Sequence, residues 1–255
     1  MNVARHIATR LADDVKHLTR VTGSDAGKVG PEVYAKWRAT PLGAITEELE
    51  QELILRFVGE LADRRMLDVG CGDGSLALAA WERRATMVVG LDSDPRMIAS
   101  AREKSAARRA HLDLMVGFAE RLPFAANAFD VVTAITVLCF VPEAAGTTRE
   151  MARVLKPGGR LVIGELGAWS FWAAYRRVRG WLGTDLWRRA RFRAPAELRA
   201  LAEQAGLQVE RLEGAIFYPP CDRAARLLAG LDPYLGRVST LGAAFLAMQA
   251  TKRRG

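Results

Sequence analysis

The chain has 255 residues, half of them hydrophobic, and a formal net charge of +8. This length suits one α/β domain with a sizeable core and disfavours a second full domain. No apolar run reaches the about 18–20 residues that a membrane-spanning helix needs, and the first ten residues lack the apolar stretch of a secretory signal. Three scattered cysteines predict neither a disulfide framework nor a metal site, so we expect a soluble cytoplasmic protein.

The N-terminal part is predicted to be helical. Apolar residues spaced by three and four predict an amphipathic helix over residues 1–21, and a linker containing Gly and Ser extends to residue 30. This helix could lie at a membrane surface, pack on the domain or pair with another subunit. A second helix is expected from about residue 46 to residue 61. We interpret residues 1–30 as an N-terminal helix and linker, and residues 31–255 as the main domain.

From residue 65 onward, predicted strands alternate with predicted helices. Strands are expected at 65–70, 86–92, 111–117, 129–135, 160–165, 207–213 and about 242–250. Helices are expected at 74–83, 95–108, 147–155 and 195–205. This alternation predicts an α/β protein with a doubly wound, mostly parallel sheet and helices on both faces.

The run over residues 67–75, LDVGCGDGS, joins the first of these strands to the first helix. Its glycines at 70, 72 and 74 can adopt positive φ angles and carry no side chain that would keep a ligand away. Ligands of doubly wound sheets bind at the carboxyl ends of the strands. The run therefore predicts a nucleotide-type pocket whose floor is backbone.

Asp92 ends the second predicted strand, 22 positions after Gly70. That spacing is typical of the acidic residue that accepts hydrogen bonds from a ribose. Asp94 is the better helix N-cap, because Pro95 then takes the first helical position. This assignment leaves Asp92 for a ligand.

A nicotinamide dehydrogenase would share this strand, turn and acid. Its fingerprint, however, has two residues between the last two glycines, whereas one residue separates Gly72 from Gly74. The Tyr-to-Lys spacing of four that short-chain dehydrogenases need is also missing, since Arg follows both Tyr34 and Tyr175 at that spacing. The sequence thus disfavours a dehydrogenase, while a non-catalytic binding protein on the same scaffold stays open.

With its further motifs the chain resembles the class I S-adenosylmethionine-dependent methyltransferases, close to the type 11 and quinone-biosynthesis group. The motifs occur in the family's order, at residues 67–75, 89–95, 117–124, 129–132, 153–161 and 196–206. The resemblance covers about residues 32–252. It implies a seven-stranded sheet with an antiparallel last strand and S-adenosylmethionine as co-substrate, with no metal.

Carried over position by position, the resemblance implies a set of cofactor-binding residues. Asp68 would lie near the methionine ammonium, and Asp92 would hold the ribose. Phe118 stands where many relatives carry an Asp that binds the adenine amino group, so adenine selectivity would rest on backbone groups, stacking or Glu120. The full implied set is Asp68, Gly70, Cys71, Gly72, Asp92, Ser93, Met97, Phe118, Ala119, Glu120, Ile135 and Thr136.

Some of these positions also have a structural interpretation. Cys71 is better interpreted as a small filler between glycines than as a nucleophile. Met97 could cover one face of the adenine or belong to the core. Within the resemblance, Ala119 would offer its backbone N–H to the adenine, and Ile135 with Thr136 would line the sulfonium.

Two segments are expected to build the acceptor pocket, since no catalytic dyad is recognisable. The first contains the lid candidates Tyr34, Trp37 and Arg38. The second is a substrate or lid insertion at residues 168–194, in which residues 169–193 hold four of the six tryptophans and seven arginines against one acid. That composition suits a membrane interface or an amphiphile, stacked single-stranded nucleic acid, or a lid with solvated arginines.

The sequence therefore predicts methyl transfer by in-line displacement to a small, lipophilic or anionic acceptor. An RNA methyltransferase is a less favoured alternative, because the segment after the fourth strand, ITVL at 135–138, lacks an Asn/Asp-Pro-Pro-aromatic signature. A non-catalytic S-adenosylmethionine-binding protein is the other. The sequence determines neither the oligomeric state nor whether the protein lies peripherally on a membrane.

Overall fold

The computed structural model describes residues 30–254, so the predicted helix over residues 1–21 lies outside the described residues. Seven strands form one sheet in the order β3-β2-β1-β4-β5-β7-β6. They are β1 (Arg65–Val69), β2 (Met87–Asp92), β3 (Asp113–Val116), β4 (Phe129–Ile135), β5 (Leu155–Leu166), β6 (Leu207–Ala215) and β7 (Phe245–Lys252).

The sheet is doubly wound, as predicted. Strands β1 to β5 pair in parallel with their neighbours, whereas β7 is antiparallel to both β5 and β6. The strand order reverses between β1 and β4, where crossover connections leave in opposite directions. In such sheets the crevice at this reversal is the ligand site, and it lies at the carboxyl ends of β1, β2, β4 and β5.

Ten α-helices occupy the described residues, and those beside the sheet cover both of its faces. Alternate strand residues point to opposite faces, so Met66 and Val88 join the core under α2 while Leu67 and Val89 join the other core. The helices are α1 (Pro31–Arg38), α2 (Pro41–Val58), α3 (Ser75–Glu82), α4 (Pro95–Ala107), α5 (Ala144–Val154), α6 (Phe171–Trp181), α7 (Asp185–Arg189), α8 (Pro195–Gln204), α9 (Asp222–Leu228) and α10 (Asp232–Val238).

The helix expected over residues 46–61 begins earlier and ends earlier than predicted. Thr40 caps α2 by accepting the N–H of Gly43, and Pro41 takes the first helical position. Gly59, with a φ of 68°, ends the helix. The preceding helix α1 was not predicted, although Pro31 marks its start.

Strand β5 is longer than the predicted 160–165. Phe129 pairs with Leu155 and Val131 with Arg160, so the intervening Lys-Pro-Gly-Gly residues form a bulge within the strand. Lys156 in this bulge binds both carboxylate oxygens of Asp130, at 2.9 and 2.8 Å. Strand β5 therefore begins five residues before the predicted position 160.

Four short helices were not predicted as separate elements. Helices α6 and α7 form within the insertion, and α9 and α10 lie between β6 and β7. Three of them have seven residues or fewer, too few to show a helical period. The 11-residue α6 is amphipathic, but its period was overlooked among the arginines and tryptophans of the insertion.

Candidate active site

The glycine turn after β1 provides an open backbone surface. Gly70, Gly72 and Gly74 have φ angles of 69°, 54° and 77°. A Cβ on Gly70 would lie 2.4 Å from Cγ2 of Val137, whereas a Cβ on Gly72 would have no atom within 4 Å. Gly70 is therefore required by packing, and Gly72 faces open space in which a ligand can approach the backbone.

Cys71, between these glycines, is a packing residue. Its side chain is buried, and its Sγ lies 2.9 Å from the position that a Cβ on Gly90 of β2 would take. Burial raises the pKa of the thiol far above its usual value, with Asp68 and Asp92 adding to the effect. A neutral buried thiol agrees with the interpretation of Cys71 as a filler.

Asp68 of β1 is a buried carboxyl at the centre of the crevice. Its Oδ1 accepts a 2.6 Å hydrogen bond from the hydroxyl of Thr133, its register partner on β4. Burial raises the pKa of Asp68 to about 7, and the charge of Asp92 raises it further while the Thr133 hydrogen bond opposes the shift. A cation bound beside Asp68 would stabilise its ionised form.

Asp92 lies at the end of β2 and is bound to the glycine turn. Its Oδ2 accepts the N–H of Gly72 at 2.9 Å, and its Oδ1 accepts the N–H of Asp94 at 2.8 Å. Asp94 caps α4 by accepting the N–H of Arg96, as the sequence predicted. The expectation that Asp92 is wholly free for a ligand was wrong, although each carboxylate oxygen retains a second lone pair for a hydroxyl.

The residues expected near an adenine lie around the ends of β2 and β3. Gly117 donates its N–H to the Asp92 carbonyl at 3.0 Å, which fixes the loop after β3 beside β2. Within this region Ala119 is buried and Met97 is half-buried. Phe118, with 63% of its surface exposed, Ser93 and Glu120 face solvent.

The loop after β4 carries a strained threonine. Thr136 has a φ of 53°, a conformation that a β-branched residue rarely adopts. Its N–H donates to the Gly164 carbonyl at 2.7 Å, and its hydroxyl donates to the Ile135 carbonyl at 2.8 Å. Strain of this kind persists where surrounding contacts enforce it and is common at functional sites.

Two buried ionisable side chains hold the next turn of this loop, and the sequence analysis missed both. Glu165 of β5 accepts the N–H of Leu138 at 2.7 Å, and Arg193 donates to the Leu138 carbonyl at 2.8 Å. Burial raises the pKa of Glu165 to about 7, while Arg193 opposes the shift. Glu165 is the one acidic residue of β5, and an acid in a largely buried strand is the sequence signal that could have identified it.

The predicted lid candidates lie against the glycine turn. Arg38 forms an ion pair with the buried Asp73 and donates to the Ser75 hydroxyl at 2.8 Å. Its guanidinium also lies 4.4 Å from the centre of the Tyr34 ring, which stacks on Trp37 at 5.8 Å. Helix α1 is thus attached to the turn through Arg38, and Asp73 was a site residue that the sequence analysis overlooked.

Both ends of the insertion are held at the carboxyl edge of the sheet. Gly167 forms a parallel bridge with Arg193, and Ala168 donates its N–H to the Arg193 carbonyl at 2.9 Å. Arg191 donates its N–H to the carbonyl of Cys139, also at 2.9 Å, in the loop after β4. The insertion therefore lies over the loop that carries Thr136.

The insertion divides its aromatic and basic residues between inside and outside. Trp172 is buried and donates from its indole to the Tyr218 carbonyl at 3.0 Å, while Arg179 and Arg193 are also buried. One alternative from the sequence was a lid with solvated arginines. In the structure, some arginines of the insertion are exposed and others are buried. Its exposed large apolar residues are Trp169, Phe171, Val178, Trp181 and Leu182.

Comparisons with known proteins point to one family. A family model described as "Methyltransferase domain" matches residues 67–163. The Ubiquinone biosynthesis O-methyltransferase of Xanthomonas euvesicatoria is 34% identical over 173 residues, which cover 65% of this chain and 71% of the relative. The 27-O-demethylrifamycin SV methyltransferase of Amycolatopsis mediterranei is 36% identical over 129 residues, covering 48% of this chain and 47% of the relative.

Solved structures with a similar fold include methyltransferases. A solved structure from Thermotoga maritima, described as a SAM-dependent methyltransferase and possible histamine N-methyltransferase, superposes with a TM-score of 0.65 at 22% identity. The match covers 86% of this chain and 95% of that one. At this identity the likeness concerns the fold alone.

Proposed function

Since the chain belongs to the class I S-adenosylmethionine-dependent methyltransferases and uses S-adenosylmethionine as its co-substrate, we propose that the crevice beside the glycine turn holds this molecule and delivers its methyl group to a small lipophilic or anionic acceptor. The observation that carries the proposal is the open face of Gly72, whose N–H is bound to Asp92. Asp68, two residues before the turn, supplies the buried carboxyl.

The residues present fit the chemistry of the co-substrate. Its methionine end carries an ammonium group, and Asp68 is a buried carboxyl whose pKa no cation among residues 30–254 lowers. An ammonium bound there would lower the pKa of Asp68 and gain a charge-assisted hydrogen bond. Gly72 leaves its side of the turn open, so backbone and ligand can come into contact.

We assign the remaining contacts from the same arrangement. Asp92 accepts hydrogen bonds from the ribose hydroxyls, each worth about 1.5–3 kcal/mol when the acceptor is charged. Ser93 lies next to it, and Met97 with the loop carrying Phe118, Ala119 and Glu120 encloses the adenine. Ile135 and Thr136 border the methyl group.

The protein's contribution to the reaction is positioning. Bound S-adenosylmethionine supplies an electrophilic methyl group that needs no further activation. Glu165 and Arg193 fix the loop carrying Thr136, and helix α1, held by Arg38, limits the access of water to the crevice. Correct alignment of two reactants can lower a barrier by up to about 7–11 kcal/mol.

The names of the relatives support a small organic acceptor. One relative is named for ubiquinone biosynthesis and another for a rifamycin substrate, and both names specify O-methylation. Transfer of labelled methyl from S-adenosylmethionine into a lipid extract, and not into bulk RNA, is the expected result. Label in RNA would favour the RNA methyltransferase, and tight cofactor binding without label in any extract would favour a non-catalytic binding protein.

We further propose that the insertion touches a membrane surface from which a lipophilic acceptor can reach the crevice. None of the helices between Gly30 and Arg254 has the length and apolar character needed to cross a bilayer. The insertion nevertheless exposes Trp169, Phe171, Trp181 and Leu182, with the exposed Arg188 nearby. Indole rings at headgroup depth and guanidiniums on phosphates are typical of interfacial contacts.

A further inference from the structure

Arg176 of helix α6 has an unusual environment. Its guanidinium carbon lies 4.9 Å from the ring centre of Trp172 and 4.8 Å from that of Trp187. Among the described residues, its buried Nε has no hydrogen-bond partner, and no carboxylate lies within 4.0 Å of the guanidinium. Within residues 30–254 this cation therefore lies beside two aromatic rings and has no ion-pair partner.

The ring contacts determine how a ligand can approach. Trp172 and Trp187 lie against the guanidinium, and no acceptor among residues 30–254 binds the N–H edge that carries Nε. A carboxylate matches such an edge with two parallel N–H···O bonds. A neutral ligand gains less binding free energy at this edge than an anion does. Burial has already removed part of the hydration of the guanidinium, and only an anion compensates its charge.

A carboxyl on helix α2 lies in the same region. Trp172 donates to the Tyr218 carbonyl, and the Tyr218 hydroxyl lies 3.1 Å from that of Thr46, one turn before Glu50. Glu50 is half-buried, forms no salt bridge or hydrogen bond with the described residues, and has a pKa raised to about 7 by burial. Arg176 opposes that shift, and Glu50 in turn raises the pKa of the Tyr34 hydroxyl. Glu50 thus interacts electrostatically with both Arg176 and Tyr34, and among the described residues no ion pair within 4.0 Å joins it to Arg176.

Tyr34 and Arg176 belong to two segments that are attached to loops bordering the crevice. Tyr34 belongs to α1, which Arg38 attaches to the glycine turn through Asp73. On the other side, the insertion that carries Arg176 is bound to Cys139 in the loop after β4. Arg176 also interacts electrostatically with the Cys139 thiol.

We propose that Arg176 is the anion-binding residue of the acceptor pocket and that the acceptor is an aromatic acid, whose carboxylate the guanidinium edge binds and whose ring the flanking indoles admit. The inference rests on the proposed function. Glu50 is the carboxyl whose charge acts on Arg176 from helix α2, and the acceptor's carboxylate competes with it for the guanidinium.

The test uses the full chain with S-adenosylhomocysteine bound and a panel of probes: benzoate, 2-hydroxybenzoate and 1-hydroxy-2-naphthoate, each beside its uncharged amide. Titration calorimetry should show that at least one acid binds more tightly than its amide. Arg176→Gln should weaken the binding of that acid by about tenfold or more and leave the binding of its amide unchanged. Glu50→Gln should strengthen acid binding several-fold, because a competing carboxylate has been removed.

Arg199→Gln, an exposed arginine on α8, is the matched control and should change neither affinity. Thermal melting of every variant checks that it is folded, and Arg176→Lys, which keeps the charge but loses the planar edge, should recover only part of the affinity. If every acid binds wild-type protein no better than Arg176→Gln, the proposal is wrong. Binding of S-adenosylmethionine, measured separately, reports on the proposed function, so loss of that binding would be a distinct failure.

Discussion

The hydroxyl of Thr133 donates a 2.6 Å hydrogen bond to the buried Asp68, and this bond joins neighbouring positions on β4 and β1. The contact holds the carboxyl in one orientation and partly offsets its burial. Asp68 is consequently poised to change its ionisation near neutral pH, where its pKa lies at about 7. Cofactor binding should report that change.

We expect the affinity for S-adenosylmethionine to rise as pH increases through about 7, because the ionised Asp68 binds the ammonium and the protonated form does not. Asp68→Asn should weaken binding and remove this pH dependence. Thr133→Val should move the inflection to higher pH, since the hydrogen bond that lowers the pKa is lost. Titration calorimetry from acidic to mildly alkaline pH measures all three, and a pH-independent wild-type affinity would contradict the assignment.

Asp92→Ala should weaken S-adenosylmethionine binding by about one to two orders of magnitude, at about 1.4 kcal/mol per tenfold. Both the ribose contacts and the bond from Gly72 would be lost. Asp92→Asn separates the two effects in part, because it keeps an oxygen for the turn. The exposed Asp113→Ala is the control and should bind normally. An Asp92→Ala affinity equal to that of wild type would show that the ribose assignment is wrong.

Arg38→Gln should loosen helix α1 and lower cofactor affinity. Asp73 would keep only the ion pair with Lys104, and the ring contact with Tyr34 would lose its charge. Increased quenching of tryptophan fluorescence by acrylamide, with Trp37 as the reporter, should accompany the weaker binding. Lys36→Gln changes an exposed charge on the same helix and should have neither effect. Tight binding by Arg38→Gln would mean that α1 is no lid.

The stability of the ligand-free protein should fall as pH rises from about 4.5 to about 7, because Glu165 keeps its proton in the folded state and loses it in the unfolded state over this range. Its share of the slope is at most about 1.4 kcal/mol per pH unit. Glu165→Gln should flatten the curve measured by urea unfolding. The exposed Glu210→Gln should leave the slope unchanged, and equal slopes for both variants would exclude a neutral Glu165.

Replacing Trp181 and Leu182 by Ser should reduce co-sedimentation with anionic liposomes, since these side chains are 82% and 78% exposed on the insertion. Charge reversal at Arg188 should act in the same direction. Leu227→Ser removes a side chain of similar exposure, 80%, from helix α9 and serves as the control. Co-sedimentation that persists in the insertion variants would leave the insertion as a lid without a membrane role.

The sequence predicted most of the sheet because its central strands β1, β2 and β4 are buried on both faces. The run at 67–75, the strand ending at Asp92 and the alternation around them led to the correct fold class, and the Asp-Pro signal located the cap of α4. The Lys-Pro-Gly-Gly bulge in β5 escaped prediction, since a glycine pair looks the same in a turn and in a bulge.

Contacts between distant segments could not be predicted from local pattern. Nothing near Glu165 in the chain indicates that it would bind Leu138, 27 positions away, or that Arg193 would bind the same residue from the other side. The pairing of Arg38 with Asp73 likewise depends on where α1 crosses the sheet edge. The cofactor contacts themselves remain predictions that the binding measurements above will test.

The pairing of Gly167 with Arg193 closes the insertion into a loop whose two stems leave the sheet side by side. A segment attached in this way can be exchanged for a longer, shorter or differently shaped one without altering the strands that hold the methyl donor. Under the proposed function, acceptor choice would be modular. Grafting the corresponding segment of a relative between these two residues offers a direct route to a changed acceptor range.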